Sequence, residues 1–193
     1  MNNALTMIEY QNPSPKTTQP LVALYCGSRS GNNPIYKEKA IALAKGLAEH
    51  NLGLVADTVI EHGGETVGVI PEFMLDYEIA HNALTELHVV RTMHERKAMM
   101  AERACAFVAL PGGLGTFEEI LEIATWAQLN QHQKPMMLYN VNGFYDALIA
   151  QLDHAVQEGF LPPQHRAKLI VCNSSKQIFN ALNNLDCPKS FVV

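Results

Sequence analysis

Seven short apolar runs, separated by helix-period segments, constrain this chain more than any other feature of it. The runs are LVALYC (21–26), GLVA (53–56), TVGVI (66–70), LHVV (87–90), AFVAL (106–110), MMLYNV (136–141) and KLIVC (168–172). They are continuously apolar rather than alternating, as expected of strands buried on both faces of a parallel sheet. Helix-like segments lie between them at Pro34–His50, Thr92–Arg103, Phe117–Asn130, Phe144–Glu158 and Ser174–Leu185.

This alternation predicts an α/β chain with a Rossmann-like, doubly wound, mainly parallel sheet and helices on both faces. At 193 residues and 48% hydrophobic, the chain is the right size for one core. Residues 1–20 are polar with three prolines and are expected to form a flexible arm ahead of a single domain, 21–193. The formal charge of -5 argues against a broad grip on nucleic acid or on an anionic membrane. No apolar run approaches membrane-spanning length and the N-terminus has no export pattern, so a cytoplasmic protein is expected. The four cysteines, Cys26, Cys105, Cys172 and Cys187, show no metal-ligand spacing, and Cys26 and Cys105 are read as ordinary thiols at buried strands. No metal and no cofactor are expected.

In such folds ligands sit beyond the carboxyl ends of the strands, where two glycine-rich stretches fall. GSRSG (27–31) follows the first strand but matches neither the dinucleotide fingerprint nor a phosphate loop, and Gly27 and Ser28 suit an ordinary βα turn equally well. LPGGLGTFEEI (110–120) says more. Gly112, Gly113 and Gly115 permit positive φ or close approach of a ligand, and a helix starting at Thr116 would aim its first amides at an anion. The competing reading is a capping box, Thr116-x-x-Glu119, with a purely structural purpose. The preceding helix tips the balance. Met93, Arg96, Lys97, Met100 and Ala104 share one stripe, which puts two cations on the face expected to be buried. A bound anion explains them better than a solvated face does, although long side chains can also snorkel out of such a stripe.

MHERKAMM followed by LPGGLGTFEEILEIATWAQL resembles the LOG ("lonely guy") family, the cytokinin riboside 5'-monophosphate phosphoribohydrolases. CGSRSG, GGETVGVIP (63–71), LYNVNGFYDAL (138–148) and VQEGF (156–160) support the match, which runs from about Leu21 to Leu185. The resemblance implies hydrolysis of the N-glycosidic bond of an adenosine-type 5'-monophosphate, plain or N6-substituted, to free base and ribose 5-phosphate. It implies Arg96 and Glu119 as the catalytic pair, Glu119 rather than Glu118 aligning with the motif's acid. Gly112, Gly113, Leu114, Gly115 and Thr116, with Lys97 nearby, would hold phosphate and ribose. Glu78 and Thr125 correspond to further substrate positions, against the alternatives of a surface acid and an ordinary helix residue. Gly27 and Ser28 would lie near the site, and a homodimer is implied. A lysine decarboxylase, as such sequences are also described, would need a Schiff-base lysine, and no motif for one is evident. A non-catalytic nucleotide carrier of the same fold is the alternative function; it would need the glycines but not both Arg96 and Glu119.

One departure stands out. Family members place a loop resembling GGGxxGLMG after the second strand, whereas here only residues 57–65 separate GLVA from TVGVI. A parallel crossover takes about a dozen residues or more. Either a segment of the natural chain is missing between Val55 and Asp57, and the substrate site read from this sequence is incomplete by one wall, or the deletion is genuine and the local structure and ligand site are damaged.

Overall fold

The computed structural model describes residues 17–27, 29–56, 64–75 and 84–183. In chain order the elements are β1 (Leu21–Tyr25), α1 (Pro34–Glu49), β2 (Gly53–Ala56), β3 (Thr66–Pro71), β4 (Glu86–Val90), α2 (Met93–Arg103) and β5 (Ala104–Ala109). There follow α3 (Leu114–Gln128), β6 (Met136–Tyr139), α4 (Asp146–Gln157), α5 (Pro163–Ala167), β7 (Leu169–Cys172) and α6 (Ser175–Leu182). The strands form one all-parallel sheet in the order β4-β3-β2-β1-β5-β6-β7.

The continuous apolar runs become strands because both faces of the sheet are covered. In β1, Leu21, Ala23 and Tyr25 point into one core layer, with Met100 of α2, Ile120 and Ile123 of α3, and the apolar side of α4. Val22 and Leu24 point into the other, against Leu43, Ala44 and Leu47 of α1 and Ile178 and Leu182 of α6. Each fully buried Leu, Ile, Val or Met among them contributes about 1.5–3 kcal/mol relative to exposure. β2 and β3 are parallel neighbours, Leu54 opposite Thr66, while residues 57–63 of their short connection lie outside the described residues.

Caps set where the helices begin. The Asn33 side chain accepts from the Ile35 N–H ahead of α1, with Pro34 in the first turn. At α2 the Thr92 hydroxyl accepts from the Glu95 N–H, while the Glu95 carboxylate reaches back to the Arg91 N–H. Reciprocal capping is therefore present one helix earlier than the spacing at Thr116 and Glu119 suggests.

The far ends of α2 and α3 are clamped. Lys134 Nζ donates to the carbonyls of Ala101 and Glu102, and Lys168 Nζ to that of Ala127. Both ammonium groups thus satisfy orphan C-terminal carbonyls. His132 bridges the same region, Nε2 donating to the Ile123 carbonyl at 2.9 Å while Nδ1 accepts from the Lys134 N–H at 3.1 Å. These contacts require the neutral ring with its proton on Nε2, and burial accordingly pushes the His132 pKa down.

Several expectations are adjusted. Ala104 opens β5 instead of closing the α2 stripe, and the short helix α5 carries no strong sequence period. Cys105 is disulfide-bonded and is not a free thiol. The described end of the N-terminal arm is tied down: the Thr18 and Gln19 N–H groups donate to the Glu65 carboxylate and that of Thr17 to Glu86. Glu86 also pairs with Arg103 of α2. No helix among the described residues is long and apolar enough to cross a membrane.

Candidate active site

The chain runs outward from β1 through β2 and β3 to β4, then crosses back to β5 on the other side of β1. The loops after β1 and β5 therefore emerge side by side at the switch point, where a crevice opens. They touch backbone to backbone. A methyl group on Gly27 would lie 3.3 Å from Gly112 Cα, and one on Gly112 would lie 2.2 Å from Thr116 Oγ1 and 2.9 Å from the Gly27 nitrogen. Glycine at 112 is thus a packing requirement. Gly113 and Gly115 differ: a methyl on either meets nothing within 4 Å among the described residues. Neither adopts positive φ, which is confined to Gly31, Gly143 and Gly159 among the glycines described. Packing and backbone strain therefore both fail to explain them, and open approach to the backbone is what remains.

Helix α3 begins two residues earlier than expected from Thr116. Its N-cap is Gly113, with extended dihedrals (φ -97°, ψ -154°) and no side-chain cap. The Phe117 N–H already bonds the Gly113 carbonyl, which places Thr116 inside the first turn. The capping box expected between Thr116 and Glu119 is consequently not formed. Thr116 Oγ1 is instead buried without a hydrogen-bond partner beside the cavity. The amides of Leu114, Gly115 and Thr116 are the orphan donors of this helix, at the positive end of its dipole.

Both α2 and α3 turn their first turns toward this crevice. Arg96 and Lys97 are buried, 4% and 9% exposed, as their helical phase predicts, and Glu119 on α3 is 8% exposed. Lys97 Nζ sits between two carboxylates one turn apart on α3, 2.7 Å from Glu118 and 2.9 Å from Glu122. Burial alone would lower the Lys97 pKa, but the two carboxylates outweigh it and hold it above the usual lysine value. Lys97 therefore ties α2 to α3 as a permanent cation. Arg96 sends Nη1 to the Met74 sulfur, 3.7 Å away, on the rim beyond β3.

The result is a cavity of about 720 Å³ that Arg96, Lys97, Glu119, Gly27 and the whole segment Gly112–Thr116 line together. Leu114 stands 85% exposed at its mouth. Thr125 is not brought to it: the side chain is on an exposed stretch of α3 and bonds the Leu121 carbonyl of its own helix. Glu78 and Ser28 lie outside the described residues. Three contributors carried no clear sequence signal. Glu122 holds Lys97, Phe144 lines the cavity, and Tyr145 supports the β5 loop from below. The FEEILE and NGFYDAL stretches contain them, but nothing in their spacing assigns the contacts.

Residues 52–182 match the family model described as "Possible lysine decarboxylase". A cytokinin riboside 5'-monophosphate phosphoribohydrolase of Rhodococcoides fascians is 40% identical, over 94% of this chain and 96% of its own. That alignment spans 194 positions against a chain of 193, so the relative has residues with no counterpart here. An Arabidopsis thaliana protein of the same name is 41% identical, covering 86% of this chain and 82% of its own. Among solved structures, the molybdenum cofactor carrier protein of Chlamydomonas reinhardtii (TM-score 0.60, 18% identity, 86% of this chain and 96% of that one) shares the fold. So does the molybdenum cofactor binding protein of Rippkaea orientalis (TM-score 0.58, 20% identity, 86% and 96%).

Proposed function

Because the chain belongs to the family described as possible lysine decarboxylases, with cytokinin riboside 5'-monophosphate phosphoribohydrolases as its curated relatives, we propose that the cavity at the β1/β5 switch point performs that hydrolysis. The chain is a hydrolase that releases the base from a cytokinin-type nucleotide. The substrate is an adenosine-type 5'-monophosphate and the products are free base and ribose 5-phosphate. Decarboxylation through an imine fits the residues poorly. Imine formation needs a neutral amine, and the lysine of this cavity is held charged between Glu118 and Glu122.

The observation that carries the site assignment is the open N-terminus of α3. Gly113 and Gly115 leave its amides uncovered, the Thr116 hydroxyl is buried without a protein partner, and Glu119 lies one turn further along. Phosphate takes the amides and the Thr116 hydroxyl. In the reaction, water adds to ribose C1' as the bond to the base nitrogen breaks. The water oxygen becomes the anomeric hydroxyl, the bonding electron pair leaves with the base, and a proton follows it. Glu119 stabilises the positive charge that develops on the ribosyl centre and orients the water, as a carboxylate does at a glycosidic carbon. Arg96 holds phosphate or ribose oxygens with its planar fork.

Glu119→Gln should lower kcat by at least ~100-fold without unfolding the protein, and Arg96→Ala should do comparable damage. Ribose 5-phosphate release from AMP and from an N6-prenylated AMP, measured side by side, tests both the activity and its preference. Full activity in both variants would move the chemistry elsewhere. The same reading makes the protein a cytoplasmic homodimer without nucleic-acid or membrane partners, and light scattering on purified protein would find twice the 21.3 kDa chain mass.

A further inference from the structure

Tyr145 is a fully buried tyrosine whose hydroxyl reaches the base of the glycine loop, and neither the motif nor the family match gives it a task. It is 0% exposed, and its hydroxyl donates to the Leu110 carbonyl at 2.6 Å across 35 positions of sequence. Leu110 is where the chain leaves the sheet. Its N–H still bonds the Tyr25 carbonyl of β1, but the pairing of β5 with β6 stops at Ala109 opposite Leu138. Leu110 is 2% exposed, so without the phenol its carbonyl would be a buried acceptor lacking a partner.

The phenol is itself held from several sides. The Tyr145 N–H donates to Asn140 Oδ1 at 2.7 Å, and Asn140 Nδ2 bonds Asp146 and Asn173. The intervening turn passes through two successive residues with positive φ, Asn142 (52°) and Gly143 (70°). That sharp reversal sends Phe144 toward the cavity and Tyr145 into the core. The Tyr145 ring meets Phe117 of the first turns of α3 edge-on, with centroids 6.0 Å apart, and Phe144 at 5.0 Å. Burial raises the phenol's pKa, so it stays a donor at any physiological pH.

There is little slack between that carbonyl and the anion-binding amides. Pro111 restricts the next φ, and Gly112 is wedged against Gly27 and Thr116. We infer that Tyr145 is a positioning residue for the reaction: by fixing the Leu110 carbonyl, its hydroxyl sets where the Gly113–Thr116 amides meet the ribose phosphate. This rests on the phosphate reading of that loop.

Tyr145→Phe removes the hydroxyl and keeps the ring contacts. The matched control is Tyr139→Phe, since Tyr139 is also buried but its hydroxyl bonds Ser175, away from the loop. Both variants of the full chain would be compared with wild type by calorimetric binding of ribose 5-phosphate, and by kcat and KM for AMP or its N6-prenylated form. The expected result is that Tyr145→Phe weakens ribose 5-phosphate and raises KM by roughly tenfold, kcat falling less, while Tyr139→Phe stays within about twofold. Tyr145→Phe binding like wild type, or failing to fold, would overturn the inference, because the hydroxyl would then be scaffold only. Equal losses in both variants would overturn it too. Wild-type protein that does not bind ribose 5-phosphate would instead sink the phosphate reading of the loop.

Discussion

Two glycines inside helices of this protein should respond to the same substitution with opposite signs. Replacing a helical glycine by alanine ordinarily gains about 0.5–1 kcal/mol, because the unfolded chain loses backbone freedom. At Gly115, in the first turn of α3, the new methyl meets nothing within 4 Å among the described residues. The gain should therefore survive, and for a chain of this size it amounts to about 1–4 °C in Tm. At Gly46, in the middle of α1, the methyl would sit 2.4 Å from the tip of the Phe179 ring. That ring is stacked on His50, with centroids 4.5 Å apart and planes within 10°, so it cannot simply step aside. Overpacking of this kind costs about 1–3 kcal/mol, more than the helix gain, and Gly46→Ala should lower Tm. Activity should move the other way. Gly115→Ala puts its methyl where the nucleotide phosphate approaches the backbone, so kcat/KM should fall at least ~10-fold, a loss of about 1.4 kcal/mol. Gly46→Ala should leave kcat/KM intact below its melting temperature. Thermal melts and base-release kinetics on the two variants decide the matter. A Gly115→Ala protein that is fully active would mean that the open space at α3 is not the ligand's, and one that melts earlier than wild type would mean that the space is not open.

The remaining predictions concern charge. A double-mutant cycle should couple Lys97 to Glu122 more strongly than to Glu118, about 1–2 kcal/mol against less than 1, because the Glu122 side chain is 23% exposed and that of Glu118 56%. Since the folded pKa of Lys97 is raised, its contribution is fully present below the usual lysine value of 10.5 and is lost as pH rises through the higher folded value. The stability gap between wild type and Lys97→Met should thus be flat from pH 7 to 10 and close only above that, as denaturant titrations at each pH would show. His132 has the opposite sign. Its folded pKa is lowered, so its contribution is present above the usual histidine value of 6.5 and is lost as pH falls through the folded one. Tm should drop between pH 7 and pH 5, and His132→Gln should remove part of that slope.

What the sequence determined by itself is what local periodicity encodes. Apolar runs without alternation required strands covered on both faces, which only a parallel sheet with two helical layers provides. The phase of α2 was enough to bury Arg96 and Lys97, because a helix shows the same face to the sheet at every 3.6 residues. The motif around Glu119 was legible for the same reason, its glycines and acid being close neighbours in the chain.

Contacts between distant elements had no such code. The spacing of Thr116 and Glu119 fits a capping box, but the path by which the chain leaves β5 starts the helix at Leu114 and carries both residues past the capping positions. Lys97 lines the cavity as expected, but its tie between helices was not legible, because it exists only where α2 and α3 pack with Glu118 and Glu122 on either side of it. Thr125, two turns beyond Glu119 on α3, faces away from the cavity. The contact of Gly27 with Gly112 exists only because β1 and β5 are neighbours at the switch point, 85 positions apart in the chain. Tyr145 reaches Leu110 across another 35. A residue's own burial follows from its periodicity, but its partner is decided by which strand lies alongside, and here that is a property of the folded sheet.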